Sequence, residues 1–241
     1  MREFELAKVP IAILAGGLGT RLGPRAEKMP KSLIRVAGQP FLAHQLTFLR
    51  KQGLKQIVIC VGHLGEMIQA QFGNGADFDM TLKYSFDGPS LLGTGGALRK
   101  ALPLLGNQFF VIYGDSYLPT DFGAVLSAFH ESGKTALMTV FHNQNRWDAS
   151  NVHFENGRIL AYSKSEKTDS MHHIDYGLSL FTTRAFDGTP EKFDLAGLQG
   201  RLLAKGELAG YEVHERFYEI GSPDGLAELG KLLRSEKAIN R

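Results

Sequence analysis

The chain has 241 residues, of which 43% are hydrophobic and 22% are charged. Such a composition is typical of a globular protein with a real core, and it excludes a disordered tail, a fibre or a coiled coil. The chain carries 27 Lys and Arg against 25 Asp and Glu, a net charge of only +2. Because proteins that bind nucleic acid usually show a strong basic excess, we expect no nucleic-acid partner.

Location in the cell is indicated by hydrophobic pattern and cysteine usage. No apolar stretch reaches the roughly 18–20 residues that span a bilayer, and residues 1–8 lack the apolar core of an export signal. The single cysteine, Cys60, lies in the apolar run Ile57–Val61 and cannot form an internal disulfide. We therefore expect a cytoplasmic protein with no membrane partner, in which Cys60 is a buried, reduced thiol.

Short apolar runs alternate with segments of helical spacing over the first 142 residues. The patterns predict strands at Val9–Ala15, Gln56–Val61, Met80–Ser85, Phe109–Tyr113 and Thr135–Phe141, and helices at Phe41–Gln52, Glu66–Phe72, Thr94–Leu102 and Phe122–Glu131. This alternation predicts an α/β fold, a Rossmann-like three-layer α/β/α sandwich around a mostly parallel, mixed sheet. Ligands of such sheets bind at the carboxyl ends of the strands, which directs attention to Gly16–Lys31 and Gly114-Asp115.

The pattern changes after about residue 142. Predicted elements here are a hairpin of Asn151–Glu155 and Arg158–Tyr162 around Asn156-Gly157, a strand at Asp175–Phe181, and a helix near Asp224–Arg234 that follows Tyr218–Gly221. No linker or internal repeat interrupts the chain. We therefore expect one domain over residues 1–241, whose last hundred residues extend the same sheet.

The loop after the first predicted strand is rich in glycine. Residues 14–23 read Leu-Ala-Gly-Gly-Leu-Gly-Thr-Arg-Leu-Gly, and backbone N–H groups in such a loop can point at phosphate oxygens. A dinucleotide fingerprint would need Gly where Leu22 stands, and a Walker A motif would need Gly where Pro30 stands. The loop matches neither motif. Arg21 and Lys31 add a cation on either side, so we predict an anion-binding loop.

The same residues carry a resemblance to a known family. Leu14–Leu22 resembles L-A-G-G-x-G-T-R-L, the signature loop of the sugar-1-phosphate nucleotidyltransferases, and Pro30–Leu33 resembles the family element P-K-[SAP]-[LM]. In its detailed sequence the chain is most similar to the heptose- and mannose-1-phosphate guanylyltransferase branch. The resemblance implies that a sugar 1-phosphate attacks the α-phosphorus of a nucleoside triphosphate, with Mg²⁺ as cofactor, and that pyrophosphate leaves.

The resemblance implies a nucleotide site in residues 9–142. Arg21 would hold the leaving pyrophosphate and Lys31 the α-phosphate, which makes Arg21, Lys31 and Asp115 the implied catalytic residues. The implied nucleotide-binding set is Leu14, Ala15, Gly16, Gly17, Gly19, Thr20, Arg21, Lys31, Asp87, Gly88, Gly93 and Thr94. Asp87 lies where family members often have an acidic residue that faces the base. That position favours GTP, and a solvated loop aspartate is an equal alternative.

Two carboxylates are implied as metal ligands. Gly114-Asp115 matches the family Gly-Asp whose carboxylate holds Mg²⁺, and Tyr218–Ser222 resembles [YW]-x-[DE]-I-G-[ST] with Glu219 in place of the usual Asp. The longer Glu219 leaves direct contact and contact through water both open. His172 and His173 are adjacent and would face opposite sides of a strand, so we expect no histidine metal site. No base is needed, because a sugar phosphate is mostly a dianion near pH 7.

The implied sugar site lies in residues 143–241. Arg158–Lys164 resembles g-r-I-x-x-[FY]-x-E-K, which makes Lys164 the phosphate-binding lysine, and a competing register offers Lys167 instead. The other implied sugar ligands are Asn151, Asp175, Tyr176 and Gly177.

The resemblance therefore predicts two substrates as partners, a triphosphate (GTP favoured) and a heptose or mannose 1-phosphate, and it is compatible with a homodimer. The product would serve cell-surface polysaccharide synthesis. The alternatives are a uridylyltransferase that acts on a gluco-configured or muramic-type sugar phosphate, and a nucleotide-sugar-binding protein without turnover.

Overall fold

The computed structural model describes residues 6–17 and 29–239, without the side chains of residues 236–239. In this part of the chain the strands are β1 (Ile11–Leu14), β2 (Arg35–Val36), β3 (Gln39–Pro40), β4 (Gln56–Val61), β5 (Thr81–Phe86), β6 (Gln108–Tyr113), β7 (Ser116–Tyr117), β8 (Ala136–His142), β9 (Val152–Glu155), β10 (Arg158–Tyr162), β11 (His173–Thr182), β12 (Leu208–Val213) and β13 (Tyr218–Glu219). The α-helices are α1 (Phe41–Lys51), α2 (Gly65–Phe72), α3 (Gly93–Leu105), α4 (Phe122–Ser132), α5 (Leu195–Ala204) and α6 (Pro223–Ile239).

Parallel strands form one half of a nine-stranded sheet. β1 lies at its centre and pairs in parallel with β4 and with β6, and β5 continues the sheet beyond β4. Leu14 at the end of β1 is in register with Cys60 of β4 and with Tyr113 of β6. The carboxyl ends of these strands therefore meet at one edge, which is where the motifs of the sequence follow.

The second half of the sheet is mixed. β11 runs antiparallel to β6 on one side and to β8 on the other, and β12 adds in parallel to β8. The β9–β10 hairpin joins at the start of β11, where His173 pairs with Val152. The register of β11 on β8 shifts between Asp175 and Ser179, and Gly177 in this bulge has a φ of +94°. Such a bulge changes the direction in which neighbouring side chains point.

Alternate residues of the central strands face two separate cores. Ile11 and Ile13 of β1 pack with α1, α2 and α4, whereas Ala12 packs with α3 and α5 on the opposite face. A third cluster, which includes Ile220 and Leu229, attaches α6 to β7 and β13. The expected three-layer α/β/α sandwich with a mixed, mostly parallel sheet is confirmed. Across the described residues, no helix combines the length and the apolar composition that crossing a membrane requires.

Most predicted elements occur with ends displaced by one or two residues, but α3 and α6 run further than predicted and some elements were missed. Helix α6 continues to Ile239 instead of ending near Arg234. Helix α3 does not stop before Pro103 and continues to Leu105. Leu105 is fully buried, so core packing holds the last turn although proline cannot donate a backbone hydrogen bond there. Helix α5 and strand β12 were not predicted. Gly197 and Gly200 weaken the helical signal of α5, whose buried face is Leu195, Leu198 and Leu202.

The glycines at the start of α3 are required by packing against the chain segment that precedes α5. The N–H groups of Gly95 and Gly96 both donate to the Phe193 carbonyl, at 3.0 and 3.1 Å. A Cβ at Gly96 would lie 2.4 Å from the Glu191 carbonyl oxygen, and a Cβ at Gly93 would lie 2.6 Å from that of Phe193. The sequence Gly93–Gly96 therefore lets two backbones approach at the edge where the strands end.

We expect Gly96→Ala to destabilise the fold by about 1–3 kcal/mol, because the new Cβ meets backbone that cannot move away cheaply. The matched control is Gly200→Ala in α5, since no described residue lies within 4 Å of a Cβ at this position. Alanine stabilises a helix by about 0.5–1 kcal/mol relative to glycine, so the control variant should have unchanged or higher stability. Urea unfolding of both variants tests this, and equal stability of the two would contradict it.

Candidate active site

A cavity of about 250 Å³ lies at the carboxyl ends of the parallel strands. Most of the implied nucleotide ligands that the structure describes share its wall, and we call it the strand-end cavity. Its lining residues are Leu14, Ala15, Gly16, Gly17, Lys31, Ser32, Cys60, Asp87, Leu91, Gly93, Thr94, Ala97, Tyr113, Gly114, Asp115 and Asp194. Gly19, Thr20 and Arg21 lie outside the described residues.

Glycines form the floor of the strand-end cavity, where three chain segments approach closely. A Cβ at Gly114 would lie 2.8 Å from the Leu14 carbonyl oxygen, and a Cβ at Gly16 would lie 3.1 Å from the Gly62 nitrogen. Gly17 is different, because none of the described residues lies within 4 Å of its Cβ position. Gly16 and Gly114 therefore serve packing, whereas no described residue crowds the backbone at Gly17.

Lys31 and Asp115 form an ion pair in the wall of the cavity. Lys31 Nζ donates to Asp115 Oδ2 at 3.2 Å, and the two side chains are 16% and 32% exposed. Both charges are thus accessible and lie in one polar contact. A phosphate would attract the lysine and a cation would attract the carboxylate. The two side chains can therefore exchange their mutual ion pair for contacts with charged ligands.

Gln45 holds the loop that carries Asp115, although the sequence reading did not select it. Its Nε2 donates to the carbonyl of Tyr113 at 3.0 Å and to that of Ser116 at 2.7 Å, one on each side of Asp115. The available signal was a glutamine on the buried face of α1, since a buried amide needs hydrogen-bond partners. Gln45 therefore fixes the backbone on which the Asp115 carboxylate is mounted.

Backbone pairing of two short strands brings the chain at Glu219 beside the chain at Asp115. β13 pairs antiparallel with β7, with Glu219 opposite Ser116, and the Ile220 N–H donates to the Asp115 carbonyl at 3.0 Å. Asp115 directly precedes β7 and Glu219 ends β13, and both carboxylates offer the oxygen ligands that Mg²⁺ prefers, so these residues fit the ion. Among the described residues, no group of three or more His, Cys, Asp or Glu could hold a metal.

Asp87 and Thr94 shape the opposite side of the cavity. Asp87 Oδ2 accepts the Leu92 N–H at 3.2 Å, and its side chain is largely buried. Burial raises the pKa of this carboxyl, against the Leu92 hydrogen bond and Lys100, which lower it. The alternative of a solvated loop aspartate is therefore wrong. Thr94 Oγ1 accepts the Leu195 N–H at 2.8 Å, and Gly88 lies in the turn that follows Asp87, with a φ of +97°.

The implied sugar ligands form a second polar group beside Tyr113. Asp175 Oδ2 accepts the Tyr162 hydroxyl at 3.3 Å, and its Oδ1 accepts the Gly177 N–H at 3.0 Å. Asn151 Oδ1 accepts the Asp175 N–H at 2.8 Å, which ties the hairpin to the bulge of β11. Burial raises the pKa of Asp175, while Lys164 and the two hydrogen bonds lower it.

The two candidate lysines differ in what they contact. Lys164 Nζ donates to the Tyr113 hydroxyl at 3.4 Å and lies 5.4 Å from the centroid of that ring. Among the described residues, Lys167 Nζ donates to the Ser163 carbonyl alone, at 3.5 Å, and both lysines are exposed. Because Tyr113 lines the strand-end cavity, Lys164 is the lysine beside it.

Tyr176 does not reach this group with its side chain, which corrects the expectation from sequence. It is 2% exposed, and its ring packs on Phe141 and Phe217. Strand residues alternate between faces, so Asp175 and Tyr176 cannot both face the sugar side. Tyr176 is instead part of the core.

The comparisons with known proteins agree with this geometry. A model of the nucleotidyl transferase family matches residues 11–152. The chain belongs to the nucleotidyl transferase family. It is an enzyme of the nucleotidyltransferase class, as the resemblance implied.

Relatives of this nucleotidyltransferase carry different substrate names. A UTP--glucose-1-phosphate uridylyltransferase from Synechocystis sp. is 29% identical over 223 residues, which cover 85% of this chain and 58% of that protein. A D-glycero-alpha-D-manno-heptose 1-phosphate guanylyltransferase from Campylobacter jejuni is 28% identical over 214 residues, which cover 88% of this chain and 94% of that protein. The chain therefore spans little more than half of the first relative and nearly all of the second.

The solved structure of HddC from Yersinia pseudotuberculosis, complexed with GMP-PN, has a TM-score of 0.78 to this chain at 20% identity. The match covers 93% of this chain and 99% of that one. A likeness at this level of identity confirms the nucleotidyltransferase fold.

Cys60 provides a direct test of the cavity wall. It is 1% exposed, as expected, and burial next to Asp87 raises the pKa of its thiol to about 12. At pH 8 that leaves on the order of one thiol in ten thousand as the reactive thiolate. We expect negligible labelling by a thiol reagent at pH 8 in the native enzyme and one equivalent after unfolding. Rapid labelling of the folded enzyme would contradict the burial.

Proposed function

We propose that the enzyme transfers a nucleoside monophosphate from a triphosphate, with GTP favoured, to a sugar 1-phosphate of manno configuration such as a heptose or mannose 1-phosphate. Nucleotide-sugar and pyrophosphate are the products. The observation that carries the proposal is the strand-end cavity, which brings Lys31, Asp115 and the backbone of Gly17 together beside the Lys164–Asp175 group. Residues 9–142 would then bind the nucleotide and residues 143–241 the sugar.

The chemistry requires charge more than it requires a base. The sugar phosphate attacks as a dianion, so the enzyme has to align two anions and stabilise the charge that develops on the phosphorus oxygens. Lys31 lies in the wall at the phosphate end and would donate to the α-phosphate, and Arg21 is the proposed contact of the pyrophosphate. Each such donor contributes roughly 3 kcal/mol to the transition state.

Asp115 and Glu219 are the proposed metal-holding residues. A bound Mg²⁺ would supply positive charge that offsets the triphosphate and orients its oxygens. The chain's own contribution is to mount both carboxylates at the β7–β13 ladder and to fix the Asp115 loop through Gln45.

The opposite end of the cavity would take the nucleobase, between Asp87 and the glycines at the start of α3. A guanine carries two N–H donors on one edge, which suits a carboxylate acceptor. The Campylobacter jejuni relative is named a guanylyltransferase and the Synechocystis relative a uridylyltransferase, at nearly equal identity. A uridylyltransferase for gluco-configured or muramic-type sugars is therefore the second candidate, and a binding protein without turnover is the third. The proposed location is the cytoplasm, where triphosphates are made.

The activity test is a pyrophosphate-release assay that crosses five nucleoside triphosphates with a set of sugar 1-phosphates, with and without Mg²⁺. We expect the highest kcat/KM with GTP and a manno-configured sugar 1-phosphate. Higher kcat/KM with UTP or dTTP would favour the second candidate. Tight binding of a nucleotide-sugar with no turnover in any combination would favour the third.

Asp115→Asn should lower kcat by about 100-fold or more, because a neutral amide is a poor ligand for Mg²⁺ and leaves Lys31 without its counter-charge. The matched control is Asp169→Asn, an exposed aspartate on the loop between β10 and β11. We expect the control to keep full activity. Pyrophosphate release that resists both EDTA and Asp115→Asn would refute the metal role.

The kinetic constants of two variants distinguish the candidate lysines, Lys164 and Lys167. Lys164→Met should raise the KM for the sugar phosphate by about tenfold or more, because a charge-assisted contact is lost, and leave the KM for the triphosphate unchanged. Lys167→Met should change neither constant by more than about twofold, since surface charges contribute little. The reverse result would assign the phosphate contact to Lys167.

A further inference from the structure

Tyr113 stands between the two halves of the site. It ends β6, and its ring lines the strand-end cavity. Its hydroxyl accepts a hydrogen bond from Lys164, whose ammonium also lies over the ring. No part of the proposed chemistry above uses this side chain. It nevertheless touches the one residue assigned to the sugar phosphate and adjoins the loop that carries Asp115.

The backbone around Tyr113 is built to keep its ring in place. Gln45 holds the Tyr113 carbonyl through the 3.0 Å hydrogen bond to Nε2. On the facing strand β11, the Cβ position of Gly177 lies 3.5 Å from Tyr113 Cδ2, and the φ of +94° there favours glycine. The bulge of β11 therefore brings bare backbone against the ring and leaves the hydroxyl turned toward Lys164.

Carboxylates surround the phenol. Burial raises the pKa of Tyr113 far above its ordinary value, and Asp175, Asp115 and Asp194 raise it further. A phenol oxygen has lone pairs and can accept a hydrogen bond from an ammonium, as it does here from Lys164. These carboxylates would also attract Lys164, yet among the described residues Lys164 forms no salt bridge and rests on Tyr113 instead.

We propose that Tyr113 is a positioning residue for the sugar phosphate. By holding the Lys164 ammonium on its ring and hydroxyl, it keeps this charge from pairing with the nearby aspartates and leaves it free for the incoming phosphate. A neutral hydroxyl accepts a hydrogen bond from the ammonium without neutralising its charge, because it is not a counter-ion. The proposal rests on the proposed function, in which Lys164 meets the sugar phosphate.

The test compares Tyr113→Phe, Tyr113→Leu and Lys164→Met, together with each Tyr113 change in the Lys164→Met background. Tyr113→Phe keeps the ring and loses the hydroxyl, and we expect the KM for the sugar phosphate to rise about threefold to tenfold. Tyr113→Leu removes both contacts and should have the larger effect. The KM for the triphosphate should change by less than about twofold in both variants. Calorimetric binding of the product nucleotide-sugar should weaken in the same order, and unfolding temperatures report whether each variant folds.

The double variants decide how Tyr113 acts. If it acts through Lys164, adding Tyr113→Phe to Lys164→Met should change the sugar-phosphate KM no further. A full additional loss in that background, an equal rise in both KM values, or wild-type kinetics in Tyr113→Phe and Tyr113→Leu would overturn the proposal. Should Lys164→Met itself leave the sugar-phosphate KM unchanged, the assignment of Lys164 in the proposed function would be refuted, and the role of Tyr113 with it.

Discussion

The site depends on how closely the backbone segments approach at the carboxyl ends of β1, β4 and β6. Glycine at positions 16, 62 and 114 removes side chains where these segments meet, so that the loops after the strands can converge. Side chains at the same positions would force the loops apart and move Asp115 away from Lys31. The proposed catalytic arrangement thus depends first on main-chain packing and then on charge.

The charged side chains around the cavity differ in the partners that they contact. Asp87, Asp115, Asp175 and Asp194 lie around the cavity and Tyr113, and the described cations near them include Lys31, Lys100 and Lys164. Lys31 contacts the Asp115 carboxylate, whereas Lys164 contacts Tyr113. In the proposed reaction, an anionic substrate would contact Lys164 without first breaking an ion pair, whereas Lys31 would exchange Asp115 for a phosphate.

The sequence predicted the fold well because its buried strands are short apolar runs and its loops carry glycine. It missed α5, whose glycines obscure a pattern that only packing against α3 makes stable. Within the site, linear motifs indicated Lys31, Asp87 and Asp115, which the structure brings to one cavity. They could not indicate Gln45 or Tyr113, because these act through contacts with residues distant in sequence. They misjudged Tyr176, since the face of a strand that meets the ligand depends on the bulge at Gly177.

The most direct test of this account is a crystal structure of the enzyme with a non-hydrolysable triphosphate and a sugar 1-phosphate. We expect the α-phosphate within hydrogen-bond reach of Lys31, the base between Asp87 and α3, and the sugar phosphate on Lys164. A triphosphate bound elsewhere, with the strand-end cavity empty, would contradict it.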